Sequence, residues 1–179
     1  GILIRNTFGT AATVDIYTIS NNTFTNCRGT AMLLSGTSNV TITGNTISNL
    51  LRGRGSDGMV EVGIKLASDS TAPAPANSSG PYSITNNSIH DFQDAASWGI
   101  TGLGTTGANI IAIYGDVSSK NATITGNTIY KIAENTTSNA VGCGGIRCQF
   151  VNVIGIFDES RCDDWIIQNN ILYRIGKTG

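Results

Sequence analysis

Five times in 179 residues the chain repeats a six-residue phrase in which an Asn and its small polar neighbours sit between two apolar residues. The phrase reads Ile19-Ser-Asn-Asn22-Thr-Phe24, Ile42-Thr-Gly-Asn45-Thr-Ile47, Ile84-Thr-Asn-Asn87-Ser-Ile89, Ile124-Thr-Gly-Asn127-Thr-Ile129 and Ile167-Gln-Asn-Asn170-Ile-Leu172. Three residues beyond each closing apolar residue stands one more: Cys27, Leu50, Phe92, Ile132 and Ile175. Self-similarity of this kind predicts a solenoid, in which each repeat buries its apolar face only against its neighbours.

The type of solenoid follows from the spacing. Each apolar pair encloses an Asn and a small residue, which is too short for a helix and suits two strands joined by a bend. Val40-Thr-Ile42, Tyr82-Ser-Ile84 and Ala122-Thr-Ile124 alternate with period two. Their β-branched Ile and Thr suit a half-buried pleated surface. The reading is therefore parallel strands stacked coil on coil.

Successive phrase Asn residues are 23, 42, 40 and 43 positions apart. The shortest interval gives the bare coil, and the longer ones predict side loops or extra strand segments. The segment 67–81 is one such inserted loop, since it is rich in Ser, Ala and Gly and holds all 3 prolines. A second phrase, small-apolar-x-apolar, precedes the first at Gly1-Ile2-Leu3-Ile4, Ala31-Met32-Leu33-Leu34, Gly63-Ile64-Lys65-Leu66 and Gly145-Ile146-Arg147-Cys148, with Gly102-Leu103 as a weaker instance. Each coil then has at least three strand segments, and five coils at the strand spacing of ~4.8 Å make a column about 24 Å tall.

These phrases resemble the right-handed parallel β-helix repeat of the pectate-lyase-like superfamily over nearly the whole chain. Asn22, Asn45, Asn87, Asn127 and Asn170 fall where that family stacks an Asn ladder in a turn. The resemblance implies an all-β, right-handed parallel β-helix of about five coils, a single domain over 1–179 that could also be a segment of a longer solenoid. It leaves function open, because the superfamily includes lyases, hydrolases, phage tailspikes, adhesins and structural proteins. The ladder Asn residues read as structural, since an Asn at a tight bend can bond its own turn and the amide one coil away.

Composition supports an extended surface rather than a highly charged one. Hydrophobic residues make up 40%, but only 13% are charged, with 11 basic against 12 acidic, and Gly, Asn, Thr and Ser take the place of the missing charge. A net charge of −1 gives no reason to expect nucleic acid as a partner. No apolar run approaches the ~20 residues of a membrane span. The Thr/Asn/Ser/Gly-rich, Lys-poor pattern associates with extracellular or cell-surface solenoids.

The 4 cysteines divide into Cys27, which occupies an apolar phrase position, and Cys143, Cys148 and Cys162 in the last coil. Their spacing does not match a zinc pattern, and His90 is the only histidine. In a secreted protein Cys162 would pair with Cys148 or Cys143. Asn-x-Ser/Thr sequons begin at Asn21, Asn39, Asn77, Asn86, Asn121 and Asn135, of which Asn77 and Asn135 lie in expected loops and are the better glycosylation candidates.

Two classes of function remain. A gapless superposition of Ile113 on Ile156 and Ile124 on Ile167 places Asp116 over Glu159 and Asn121 over Asp164. With Asp163, these carboxylates (Asp116, Glu159, Asp163 and Asp164) form the acidic group a carbohydrate-active enzyme would use. Of the signatures carried by polygalacturonase-like relatives of the resemblance, only a bare Asp163-Asp164 is present. Calcium, the pectate-lyase cofactor, enters only under that lyase alternative, and no other cofactor is expected. A non-catalytic glycan-binding strip is the intermediate reading, with Tyr130 and Tyr173 as contacts in the outward file Ser48, His90, Tyr130, Tyr173.

The leading expectation is structural. Placing Gly1 after Gly179 gives a junction with the grammar of the second phrase, so Ile2, Ile4, Leu172 and Ile175 would form the ends of an assembly. Coils would add head to tail, by self-association into a surface filament, an adhesin-like assembly or a longer solenoid.

Overall fold

In the computed structural model the chain is a right-handed parallel β-helix, described over residues 1–5, 16–50, 59–67, 80–92, 109–115, 121–133, 142–148 and 164–175. Three parallel sheets of five strands each run the length of the column. Sheet A comprises β1 (Ile2–Arg5), β4 (Thr30–Ser35), β7 (Met59–Ala67), β10 (Asn109–Gly115) and β13 (Gly142–Cys148). Sheet B comprises β2 (Tyr17–Ser20), β5 (Val40–Thr43), β8 (Tyr82–Thr85), β11 (Ala122–Thr125) and β14 (Ile166–Gln168). Sheet C comprises β3 (Thr23–Thr25), β6 (Thr46–Ser48), β9 (Ser88–Phe92), β12 (Thr128–Ile132) and β15 (Ile171–Ile175). The chain visits A, B and C in turn five times, one visit to each per coil.

Register follows the repeat. Ile19, Ile42, Ile84, Ile124 and Ile167 are successive partners in sheet B. Phe24, Ile47, Ile89, Ile129 and Leu172 form the matching file in sheet C. These files point inward, and Ile42, Ile84, Ile47, Ile89, Ile124 and Ile129 are fully buried. Stacking like on like keeps every coil the same width, so the core is continuous along the axis.

Between sheets B and C the chain must bend within two residues, and two sequence choices make that possible. The residue before each ladder Asn has a left-handed backbone: Asn21 (φ 56°), Gly44 (φ 65°), Asn86 (φ 55°), Gly126 (φ 67°) and Asn169 (φ 55°). Gly and Asn are the residues that adopt this region at least cost. The ladder Asn then satisfies the backbone polar groups that the bend strands. Asn87 Oδ1 accepts from Asn45 N–H at 2.9 Å and from Asn45 Nδ2 at 3.0 Å. Asn45 Nδ2 also donates to the carbonyl of Ile19 in the coil before and of Thr43 in its own turn. The pattern repeats from Asn22 through Asn170.

A second left-handed row explains why the third apolar residue comes three positions on, when a regular strand would place it two on. Asn26, Asn49, Asp91, Lys131 and Arg174 all have φ between 50° and 57°. Each inserts one residue that turns the next side chain inward, so Leu50, Phe92 and Ile132 are buried and Cys27 and Ile175 pack against the core.

Sheet A corrects one assignment. In the fourth coil the small-apolar-x-apolar position is Ala112-Ile113, with Ile113 paired to Ile64 on one side and Ile146 on the other. Gly102-Leu103 lies outside the described residues. The small residue is required at this corner: a Cβ on Gly63 would lie 2.5 Å from the Ala112 carbonyl oxygen, and one on Gly145 would lie 2.5 Å from Leu172 Cδ2. In sequence Ile110-Ile111-Ala112-Ile113 reads as an unbroken apolar run, which hides the phrase. Of the inserted segment 67–81, only Ala67, Gly80 and Pro81 are described, with the Gly80–Pro81 bond cis.

Removing one ladder side chain from mid-stack should be felt by two coils. Asn87→Ala removes the Oδ1 acceptor of the Asn45 N–H and the Nδ2 donor to the Ile42 carbonyl, while Asn127 Oδ1 loses one of two donors and keeps the backbone N–H of residue 87. We expect a loss of roughly 1–3 kcal/mol for each buried group left unpaired, read as a lower denaturation midpoint at unchanged slope. Asn22→Ala, at the exposed end, should cost less, and equal midpoints for the two variants would contradict this account.

Candidate functional site

Two regions carry side chains that the fold holds in a defined arrangement: an outward file on sheet C and the open ends of the column. The outward file follows from register, with Ser48 paired to His90, His90 to Tyr130 and Tyr130 to Tyr173. One strand spacing separates these residues, which is the distance at which flat rings stack. His90 lies over Tyr130 with centroids 4.6 Å apart and planes 8° from parallel, and Tyr130 over Tyr173 at 5.0 Å and 1°.

This stacking limits what the file can bind. A sugar ring packs on an aromatic face, and here both faces of Tyr130 are covered by its neighbours. The candidate contacts Tyr130 and Tyr173 are thus brought together, and of the two only Tyr173, 45% exposed at the end of the file, has a face that no ring covers among the described residues.

Beside the rings runs the left-handed row, which places Asp91 between His90 and Lys131. His90 Nδ1 lies 2.7 Å from Asp91 Oδ2, and Lys131 Nζ lies 3.0 Å from Asp91 Oδ1. Burial by itself pushes the Asp91 carboxyl up, but the hydrogen bonds from His90 and Lys131, with the charge of Lys131, outweigh it and hold the group below its ordinary value. Because Asp91 ionised is the hydrogen-bonded form, the bond defines His90 Nδ1 as the protonated nitrogen. Lys131 also approaches the Tyr130 ring, 6.0 Å from its centroid. The group ties the third coil to the fourth.

The superposition that grouped the acidic set is not the register found for Ile113. It rested on Ile113 over Ile156, whereas Ile113 pairs with Ile146, Tyr114 with Arg147 and Gly115 with Cys148. The equal intervals of the sequence hide that sheet A does not share the offset between coils by which Ile124 pairs with Ile167 in sheet B. Asp116, Glu159 and Asp163 lie outside the described residues. Asp164 is exposed with φ 60°, in the turn position that Asn39 (φ 52°) and Asn121 (φ 54°) occupy in other coils. Its neighbour on the axis is Asn121, and its place is that of a turn residue. Among the described residues no group of three or more His, Cys, Asp or Glu could hold a metal ion.

The remaining candidates separate in the same way. Cys148 sits at the end of β13, paired through its backbone with Gly115, while Cys162 lies outside the described residues, as do Asn77 and Asn135. Cys27 is a free thiol, partly buried against the core.

At the open ends the inward files surface. Ile167 and Leu172 are 43% and 45% exposed, whereas Ile124 and Ile129 one coil below are fully buried. Ile166, Ile171 and Tyr173 are exposed beside them. At the opposite end Leu3 and Ile16 are exposed, and Ile2 and Ile4 pack partly against the core. The ladder ends unpaired at both poles. Among the described residues, Asn170 N–H has no acceptor of the kind Asn127 N–H finds in Asn170 Oδ1, and Asn22 Oδ1 has no donor.

No protein-family model, curated protein or solved structure matches the chain.

A depressed carboxyl contributes stability above its unfolded value of about 3.8 and loses it as pH falls through the lower native value. Asp91→Asn is expected to flatten the acid limb of the stability profile and leave the sheets intact at neutral pH. Denaturation midpoints between about pH 2 and 6 measure this, and profiles that stay parallel for both proteins would refute the assignment.

Proposed function

We propose that the protein is a structural β-solenoid module of an extracellular or cell-surface assembly, a filament or adhesin-like fibre, extended by head-to-tail addition of coils. The observation that carries this reading is the chemical complementarity of the two ends. One pole presents an unpaired ladder N–H at Asn170, the other an unpaired Oδ1 at Asn22, and each lies among core residues that inner coils bury. A further coil on β13, β14 and β15 would restore the same contacts that every inner coil makes.

Physical necessity points the same way. An uncovered parallel edge offers a row of free backbone groups that pairs readily with another strand, and solenoids bury terminal faces with a cap or a neighbour. The low charge and Thr-, Asn- and Ser-rich surface favour a location outside the cell. Of the carboxylate candidates only Asp164 lies among the described residues, in a turn position, and both faces of Tyr130 are occupied by neighbouring rings, so the described geometry adds no support to a catalytic reading.

The native assembly, isolated without denaturant and imaged by electron microscopy, should appear as uniform columns with an axial strand repeat of about 4.8 Å. Leu172→Lys, which places a charge in the exposed core file, should leave the chain folded and exclude it from the columns. Discrete single particles from native material would overturn the proposal.

A further inference from the structure

The left-handed row before the ladder alternates: Asn21, Gly44, Asn86, Gly126, Asn169. Asn and Gly both suit the backbone, so conformation alone does not explain why they take turns. Contact along the axis does. A Cβ on Gly44 would lie 2.5 Å from Asn21 Oδ1, and a Cβ on Gly126 would lie 2.5 Å from Asn86 Oδ1. Each Asn leans its side chain towards the following coil, against the bare Cα of a Gly. Real Cβ atoms do not approach an oxygen that closely, so an Asn in this row requires a Gly in the next coil.

Asn169 is the last Asn of the row, and its position faces the open pole. We infer that the pole formed by β14 and β15 accepts a partner coil reading apolar-x-Gly-Asn-x-apolar, with Gly over Asn169 and Asn over Asn170, and discriminates against a second copy of this chain. The inference rests on the axial reading above and deepens it by naming the neighbour. The second and fourth coils of the chain carry the required phrase at Gly44-Asn45 and Gly126-Asn127, but its first coil presents Asn21-Asn22. In-register stacking of identical copies would complete the ladder while setting Asn21 against Asn169. The pair acts as a selectivity element that weakens in-register stacking of identical copies relative to a coil carrying the Gly-Asn phrase.

The probe is the chain itself with Asn21→Gly, whose first coil then matches the required phrase; Asn169→Gly removes the same conflict from the other side. Gly is well suited to both left-handed positions, so neither substitution threatens the fold. Axial association is measured by sedimentation velocity over a concentration series, for wild type and both variants, each with and without Leu172→Lys. Asn21→Gly and Asn169→Gly should each strengthen association by about tenfold or more over wild type, without adding in the double variant, and Leu172→Lys should abolish the gain. Equal association by wild type and variants, blocked by Leu172→Lys, would overturn the selectivity and leave axial stacking intact. A gain that survives Leu172→Lys would overturn the assignment to this pole, and no association by any variant would overturn both readings. Within one chain, Gly126→Asn should lower the denaturation midpoint and added Asn86→Gly should restore it. A loss that Asn86→Gly does not rescue would also overturn the steric rule.

Discussion

The fold depends on one side-chain amide per coil. Turning a strand into the next sheet within two residues strands backbone donors and acceptors in a place that water does not reach, and an unpaired buried polar group there costs as much as several methylenes of core contribute. An Asn answers the whole demand because it carries an acceptor and two donors on a short stem. Its Oδ1 takes two hydrogens from the coil before, while its Nδ2 returns to carbonyls of that coil and of its own turn. A Gln would be too long and an Asp has no donor. Given this amide, the apolar files need only match in width.

Much of this was legible in residues. The Ile-to-Ile spacing of the phrase gave the strands of sheets B and C with their register, and the small-apolar phrase gave most of sheet A. What resisted reading was conformation that leaves no apolar signature. Asp91, Lys131 and Arg174 share a left-handed backbone with Asn26 and Asn49, yet only the two Asn advertise it. The displaced third apolar residue was the available signal, since Leu50 cannot follow Ile47 inward along a regular strand.

The candidate sites were harder for a related reason. Alignment of the repeats places His90, Tyr130 and Tyr173 in one file, but a file of rings can either offer its faces or consume them, and for Tyr130 the spacings of 4.6 and 5.0 Å decide. The alignment behind the carboxylate set shows a different difficulty. Equal intervals in sequence joined Ile113 to Ile156, although each sheet keeps its own offset between coils and sheet A pairs Ile113 with Ile146. A repeat protein with loops of unequal length has a register for each sheet and none for the chain as a whole.

The ladder amides also share a direction. From Asn22 to Asn170 every Asn-to-Asn side-chain bond runs from the Nδ2–H of one coil to the Oδ1 of the next, so the amide dipoles align head to tail along the column and polarise one another. Such a column has a vector, like a polar polymer with unlike plus and minus ends. In the proposed assembly, coils arriving at the two poles would meet a donor at one and an acceptor at the other, and the two ends would elongate at different rates even under identical conditions.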